Sequence, residues 1–139
     1  VKVKLNDVIE GMEFADMEAD YYYHTKTEAV VVYMDEALTG VDASELAEDI
    51  EENWQDNIHL PTKYEIDEYN MMEEFIWSLP EGAAQDKFKN LIRGRGAFRR
   101  FKDSVYDLNL QDKWYAYRDA AYVKQAKEWC ERHGIECVM

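Results

Sequence analysis

The stretch Tyr21-Tyr22-Tyr23-His24-Thr25-Lys26-Thr27-Glu28-Ala29-Val30-Val31-Val32-Tyr33-Met34 decides the fold class. Two runs rich in aromatic and β-branched residues, Tyr21 to Thr25 and Ala29 to Met34, flank the polar Lys26-Thr27-Glu28. Such residues fit a pleated, half-buried surface, so the pattern predicts a β-hairpin. No Asn-Gly or Asp-Gly marks its turn, which leaves the register open. Strand alternation puts two of the three tyrosines on one face and one on the other, so one set is expected in the core.

Outward from the hairpin the apolar spacing turns mostly helical. Leu5, Val8, Ile9 and Met12, with Phe14 as a further candidate, recur at helical intervals, with Asn6 and Asp7 as candidate caps. Residues 15–20 read as a polar loop. Asp42 to Trp54 predicts a second helix, with Glu45 three residues after Asp42 and a thin stripe of Leu46, Ile50 and Trp54. Its many acids read as a solvated face. Ile58 to Pro61 predicts a short strand. Thr62-Lys63-Tyr64-Glu65 is a capping box, and Ile66, Tyr69, Met72, Phe75, Ile76 and Leu79 line one face behind it until Pro80 stops the helix. A further helix is expected from about Ala83 to Arg93, ending at Gly94, and another after Gly96 through Phe98, Phe101, Val105 and Leu108. Asn109 is expected to cap the last helix, which carries Trp114, Tyr117, Tyr122, Gln125 and Trp129 and closes at Gly134. The expected class is therefore α+β, a small N-terminal antiparallel sheet with a mainly helical C-terminal half. Without a repeat, low-complexity tract or linker, a single domain over residues 1–139 is expected.

The chain has 139 residues, and 16 Lys+Arg stand against 30 Asp+Glu for a formal net charge of −14. With 47% apolar residues it has enough material for a core, so it is no disordered acidic tail. No apolar run approaches a membrane span, and no signal-peptide core is visible. Two cysteines, Cys130 and Cys137, do not make a secreted disulfide framework, so a cytoplasmic protein is expected. The charge argues against general nucleic-acid or anionic-membrane affinity. It is unevenly spread, however. Residues 1–80 carry 21 acids and 4 bases, and residues 81–139 carry 9 acids and 12 bases.

The basic residues concentrate in Lys87-Phe88-Lys89-Asn90-Leu91-Ile92-Arg93-Gly94-Arg95-Gly96-Ala97-Phe98-Arg99-Arg100-Phe101-Lys102, which holds seven of them and no acid. Glycines ahead of a helix N-terminus bring backbone N–H groups to an anion, and arginines fork onto phosphate or carboxylate. Phe88, Phe98 and Phe101 could stack on bases, but their spacing favours the core faces of two helices. The cations could equally find partners in the protein's own acids, such as Glu73, Glu74 or Asp103. The segment lacks the Lys-Ser/Thr of a P-loop and the strand of a dinucleotide fingerprint.

Other chemistry is thinner. Cys130, His133 and Cys137 stand near metal-ligand spacing, but a structural zinc wants four ligands and no second pair is visible. A half-buried thiol beside Trp129 and a helix-terminal histidine explain them without a metal. Carboxylates such as Glu48, Asp49, Glu51, Glu52, Glu73 and Glu74 are abundant without an acid–base arrangement, and no nucleophile elbow or EF-hand loop occurs. No cofactor is expected.

Gly94-Arg95-Gly96-Ala97-Phe98-Arg99-Arg100-Phe101-Lys102-Asp103, with Trp114, Arg118-Asp119, Glu128-Trp129 and His133-Gly134-Ile135, resembles uncharacterised protein family 0158. Leu5 to Phe14 followed by the Tyr-rich hairpin is similar to that family's opening. The likeness is specific over about residues 64–135. It implies a small bacterial cytoplasmic protein without an assigned activity, and supplies no catalytic residues.

Two classes of function remain. The first is a non-enzymatic binding or regulatory protein, monomeric or weakly dimeric, that meets an anionic ligand or protein partner through Arg93, Arg95, Arg99, Arg100 and Lys102, with Gly94 and Gly96 shaping the turn. The second is a hydrolase or transferase using carboxylates or Cys130. A purely structural role for the basic segment stands beside both.

Overall fold

The hairpin forms where the sequence places it. In a computed structural model, which describes residues 1–15, 19–34, 40 and 42–139, strand β2 (Ala19–His24) pairs antiparallel with β3 (Ala29–Met34). Tyr21 faces Val32 and Tyr23 faces Val30, which fixes the register. Glu28 turns the chain with φ of 55° in place of a glycine. The polar loop expected over residues 15–20 ends early, since β2 already begins at Ala19; residues 16–18 lie outside the described residues. The short strand β4 (Asn57–His59) joins the other edge of β2 and gives the order β3-β2-β4. The architecture is α+β.

The chain divides into two compact units, Val1–Ile66 with Tyr122–Met139, and Asp67–Ala121. In the first, β1 (Lys2–Lys4) lies parallel to β5 (Glu136–Val138), so the two ends of the described chain meet, with Val3 opposite Cys137. Helix α1 (Leu5–Phe14) follows β1 and buries Leu5, Val8, Gly11 and Met12 on one face, while Phe14, at its last turn, stays exposed instead of joining that face. Tyr23 is fully buried, its hydroxyl donates to the Lys2 carbonyl at 2.6 Å, and its ring meets Trp129 edge-on at 6.4 Å. The Trp129 indole N–H in turn donates to the His59 carbonyl at 3.0 Å. An aromatic donor in a core needs such an outlet. Helix α2 (Ser44–Glu52) buries none of its residues, in keeping with its thin apolar stripe. Asp42 accepts from the Ser44 N–H at 2.9 Å, just outside the helix.

The capping box closes as written. Thr62 Oγ1 accepts from the Glu65 N–H and Glu65 Oε1 from the Thr62 N–H, each at 3.2 Å. The helix it starts, α3 (Lys63–Ile66), is only one turn long, although the apolar spacing predicts continuity to Leu79. Asp67 stops it by taking a left-handed φ of 51°, and its side chain accepts from the Asn70 N–H at 3.1 Å to start α4 (Glu68–Ser78). Aspartate tolerates that conformation, and its short carboxylate competes with the helix for backbone donors. The Ile66 carbonyl released by the break accepts from Gln125 Nε2 at 3.0 Å.

The second unit is built of helix ends that the following segment closes. Buried Gln85 donates to the carbonyls of Ile76 and Leu79 at 3.0 and 3.1 Å, which finishes α4. Gln85 belongs to α5 (Ala83–Leu91), and α6 (Ala97–Asp107) comes next. Asn109, expected as a cap for the last helix, instead terminates α6. It sits at φ of 56°, its N–H reaches the Tyr106 carbonyl at 3.1 Å, and Leu110 N–H reaches that of Val105 at 2.9 Å. That 6→1 and 5→2 pairing is the Schellman closure, with asparagine where glycine is usual. Helix α7 (Gln111–Arg132) follows, and Gly134 ends it with the same pairing. Inside the unit, Phe101 meets Phe75 at 6.0 Å, Phe88 at 5.4 Å and Trp114 at 4.9 Å, mostly edge-to-face, the arrangement aromatic quadrupoles prefer.

Candidate functional site

The basic segment spans the end of α5, the Gly94–Gly96 turn and the start of α6. Its phenylalanines are structural. Phe88 and Phe101 are fully buried, and half-buried Phe98 packs on Phe101 and Trp114 at 6.2 and 6.4 Å. Phe88 and Phe101 therefore have no face for a base, and Lys102 Nζ stands over the Phe98 ring. Both glycines adopt left-handed backbone, φ of 79° at Gly94 and 72° at Gly96, a conformation that strains other residues.

Arg100 folds back over this turn. Its Nε donates to the Leu91 carbonyl at 3.0 Å, Nη2 to that of Arg93 at 2.7 Å, and Nη1 to that of Arg95. A helix leaves its last carbonyls without backbone partners, and this guanidinium supplies three donors to them and to the turn. A β-carbon at Gly96 would lie 3.1 Å from Arg100 Nη1, so the small residue also makes room for the clamp. Arg100 thus finds its partners at home, on carbonyls rather than acids. Glu74 is engaged elsewhere, accepting from Tyr117 and Asn70 at 3.1 Å each.

The remaining cations divide. Lys89 Nζ stands 4.2 Å from the Trp77 ring centroid and Lys102 Nζ 4.4 Å from that of Phe98. Arg93, Arg95 and Arg99 are exposed, and among the described residues no ion pair holds them. The sequence brought Arg93, Gly94, Arg95, Gly96, Arg99, Arg100 and Lys102 together as one group. The structure gives it a clamp, Arg100, and an exposed set around it.

Close by within the same unit lies a cavity of about 380 Å³, lined by Glu68, Lys102, Val105, Tyr106, Gln111, Trp114, Tyr115 and Arg118. Arg118 Nη2 pairs with Glu68 at 3.0 Å. Sequence reasoning included Lys102 but missed the rest. The signal was weak, because Glu68, Lys102 and Arg118 lie on three separate helices and only packing assembles them.

At the C-terminal end, burial pushes the Cys130 thiol up to about 12, with Cys137 beside it adding to the shift. A thiol held protonated is a poor nucleophile, which removes the support for Cys130 chemistry. His133 rests on Trp129 with ring centroids 5.2 Å apart. Among the described residues no three His, Cys, Asp or Glu side chains gather to hold a metal ion. Two histidine–carboxylate pairs occur on the hairpin unit, His24 with Asp49 and His59 with Asp20, each at 3.2 Å. Hydrogen bonds from Asn57 and Asn53, more than the histidine, hold the Asp49 carboxyl below its ordinary range. No helix among the described residues is long and apolar enough to cross a membrane.

By fold this is an α+β protein with a three-stranded antiparallel sheet and a helical unit that carries the basic turn. The model of Uncharacterised protein family UPF0158 matches residues 1–139, and the chain belongs to that family, which has no assigned function. No curated protein and no solved structure matches the chain.

Proposed function

We propose that this chain is a non-enzymatic binding protein that engages an acidic segment of a partner protein through Arg93, Arg95 and Arg99. The observation that carries the reading is the division of labour in the basic turn. One arginine is committed to the backbone, and three neighbours stand exposed without an acid partner among the described residues. Guanidinium forks suit carboxylates, and a turn held by Arg100 presents them with little ordering cost. A protein segment fits better than nucleic acid. The net −14 of the whole chain repels a long polyanion, whereas a short acidic stretch needs only the local field. Lys102 borders this surface, and Gly94 and Gly96 shape it. A bacterial cytoplasmic setting goes with the reading, supported by two thiols outside any disulfide framework.

The test is fluorescence anisotropy of a labelled polyglutamate peptide, and of DNA and RNA oligonucleotides, across salt. Peptide binding should weaken with salt and fall about tenfold in Arg95→Ala/Arg99→Ala, two exposed charge contacts at about 0.5–1 kcal/mol each. Oligonucleotide binding with a steep salt slope would reassign the partner. Absence of binding to any probe would end the proposal.

A further inference from the structure

The cavity of the helical unit combines features that the exposed arginines do not. Its floor is apolar, since Val105 and Trp114 are each 3% exposed. Its rim carries two large aromatic side chains left in solvent, Tyr106 at 72% and Tyr115 at 57% exposure. Two cations border it, each fixed by the protein: Lys102 over the Phe98 ring at 4.4 Å, and Arg118 on Glu68 at 3.0 Å. Counting Glu68, the lining carries one net positive charge, in a chain of net −14. Asp119 also approaches Arg118, at 4.0 Å, but is mostly exposed and outside the lining.

Gln111 adds a further mark. Its Oε1 is shut off from solvent and has no hydrogen-bond partner. A buried acceptor left unmatched is costly, and a turn of the amide would offer it to a donor in the cavity. Small-molecule sites have this composition: a concave apolar body with a few converging polar groups, at volumes from roughly 300 Å³ upward.

We propose that this cavity binds a small planar aromatic anion, its ring against Trp114 between the two tyrosines and its charged group toward Lys102 and Arg118. Aromatic walls favour a flat ring over an aliphatic chain. Two cations, Arg118 partly withdrawn from water and Lys102 at the exposed edge, favour carboxylate or phosphate. A ring N–H or amino group would satisfy Gln111 Oε1. This site shares only the bordering Lys102 with the arginine surface, whose contacts are Arg93, Arg95 and Arg99, so either can fail alone.

The experiment is calorimetric titration of the full chain with benzoate, indole-3-carboxylate, adenosine monophosphate, benzamide and inorganic phosphate, paired with NMR shift mapping of the Trp114 indole N–H. Saturable binding of an aromatic carboxylate or of the nucleotide, shifting that resonance and weakened at least tenfold by Lys102→Gln, is the expected result. Which of the two binds decides between a carboxylate and a phosphate ligand. Tyr115→Ala, at an exposed position, should also weaken it and guards against a folding artefact in the first variant. Lack of saturable binding by all the aromatic anions would overturn the proposal. So would equal affinity for benzamide or phosphate alone, or affinity unchanged in both variants.

Discussion

The two units carry the protein's charge very differently. Val1–Ile66 with Tyr122–Met139 hold seven cations against twenty acids, a net −13, while Asp67–Ala121 hold nine against ten, a net −1. Along the chain, the contrast falls near Pro80. The structure moves it to Asp67, where the backbone itself changes unit. They also differ in how backbone groups are satisfied. The acidic unit has strand ladders and a capping box besides the Gln125 amide on the Ile66 carbonyl, whereas the near-neutral one has no strand among its described residues and relies on side chains, Gln85 and Arg100, at the ends of its helices. Polar side chains at helix ends explain why the second unit holds cations and amides that do not all face a partner.

The strongest way to probe this contrast is at the ring cluster. Phe101→Ala should cost about 3–5 kcal/mol, as for other buried phenylalanines. Hydrogen exchange should show protection lost first among the amides of Asp67–Ala121. Uniform loss along the whole chain would mean that the two units open together.

The next test separates neighbouring arginines. Arg100→Ala removes three donors to carbonyls and should cost about 1.5–3 kcal/mol in chemical denaturation. Arg99→Ala, on an exposed side chain without an ion pair among the described residues, should stay within about 0.5 kcal/mol. Equal losses would show that the clamp does not hold the turn.

At the junction, Asp67→Ala should cost about 1–2 kcal/mol, since it removes a cap and leaves a β-carbon in left-handed backbone. Asp67→Gly keeps the conformation and should recover part of that loss. A glycine variant worse than alanine would contradict the assigned break.

The smallest effects lie at the C-terminus. Burial, and then Arg132, hold His133 below its ordinary value of 6.5, against a weaker opposite pull from Glu65. The unfolded chain therefore takes up this proton first as pH falls. Stability should drop through pH 6.5 and below, and His133→Gln should flatten that slope. With Cys130 raised to about 12, iodoacetamide at mildly alkaline pH should modify Cys137 well before Cys130 in the folded protein. Equal rates would mean that the buried thiol is not shielded.

Local chemistry was legible. The hairpin, the capping box at Thr62, the stop at Pro80 and the phenylalanines as core residues all follow from spacing and side-chain type within a few residues. The parallel pairing of β1 with β5 was not, although Val1-Lys2-Val3-Lys4 alternates, because each strand has three residues and its partner lies at the opposite end of the chain. The break at Asp67 escaped for a related reason. Apolar periodicity continues straight through it, and the residue that takes up the freed carbonyl, Gln125, is far away in sequence.

The same division holds for the sites. Sequence by itself determined that seven cations gather around two glycines, because composition and spacing are local properties. Only tertiary structure decided that Arg100 turns inward to three carbonyls, that Arg93, Arg95 and Arg99 stay exposed, and that Lys102 meets Arg118 and Trp114 around one cavity. Those outcomes depend on which helix ends lie within reach of a side chain, and such distances exist only once the helices have packed.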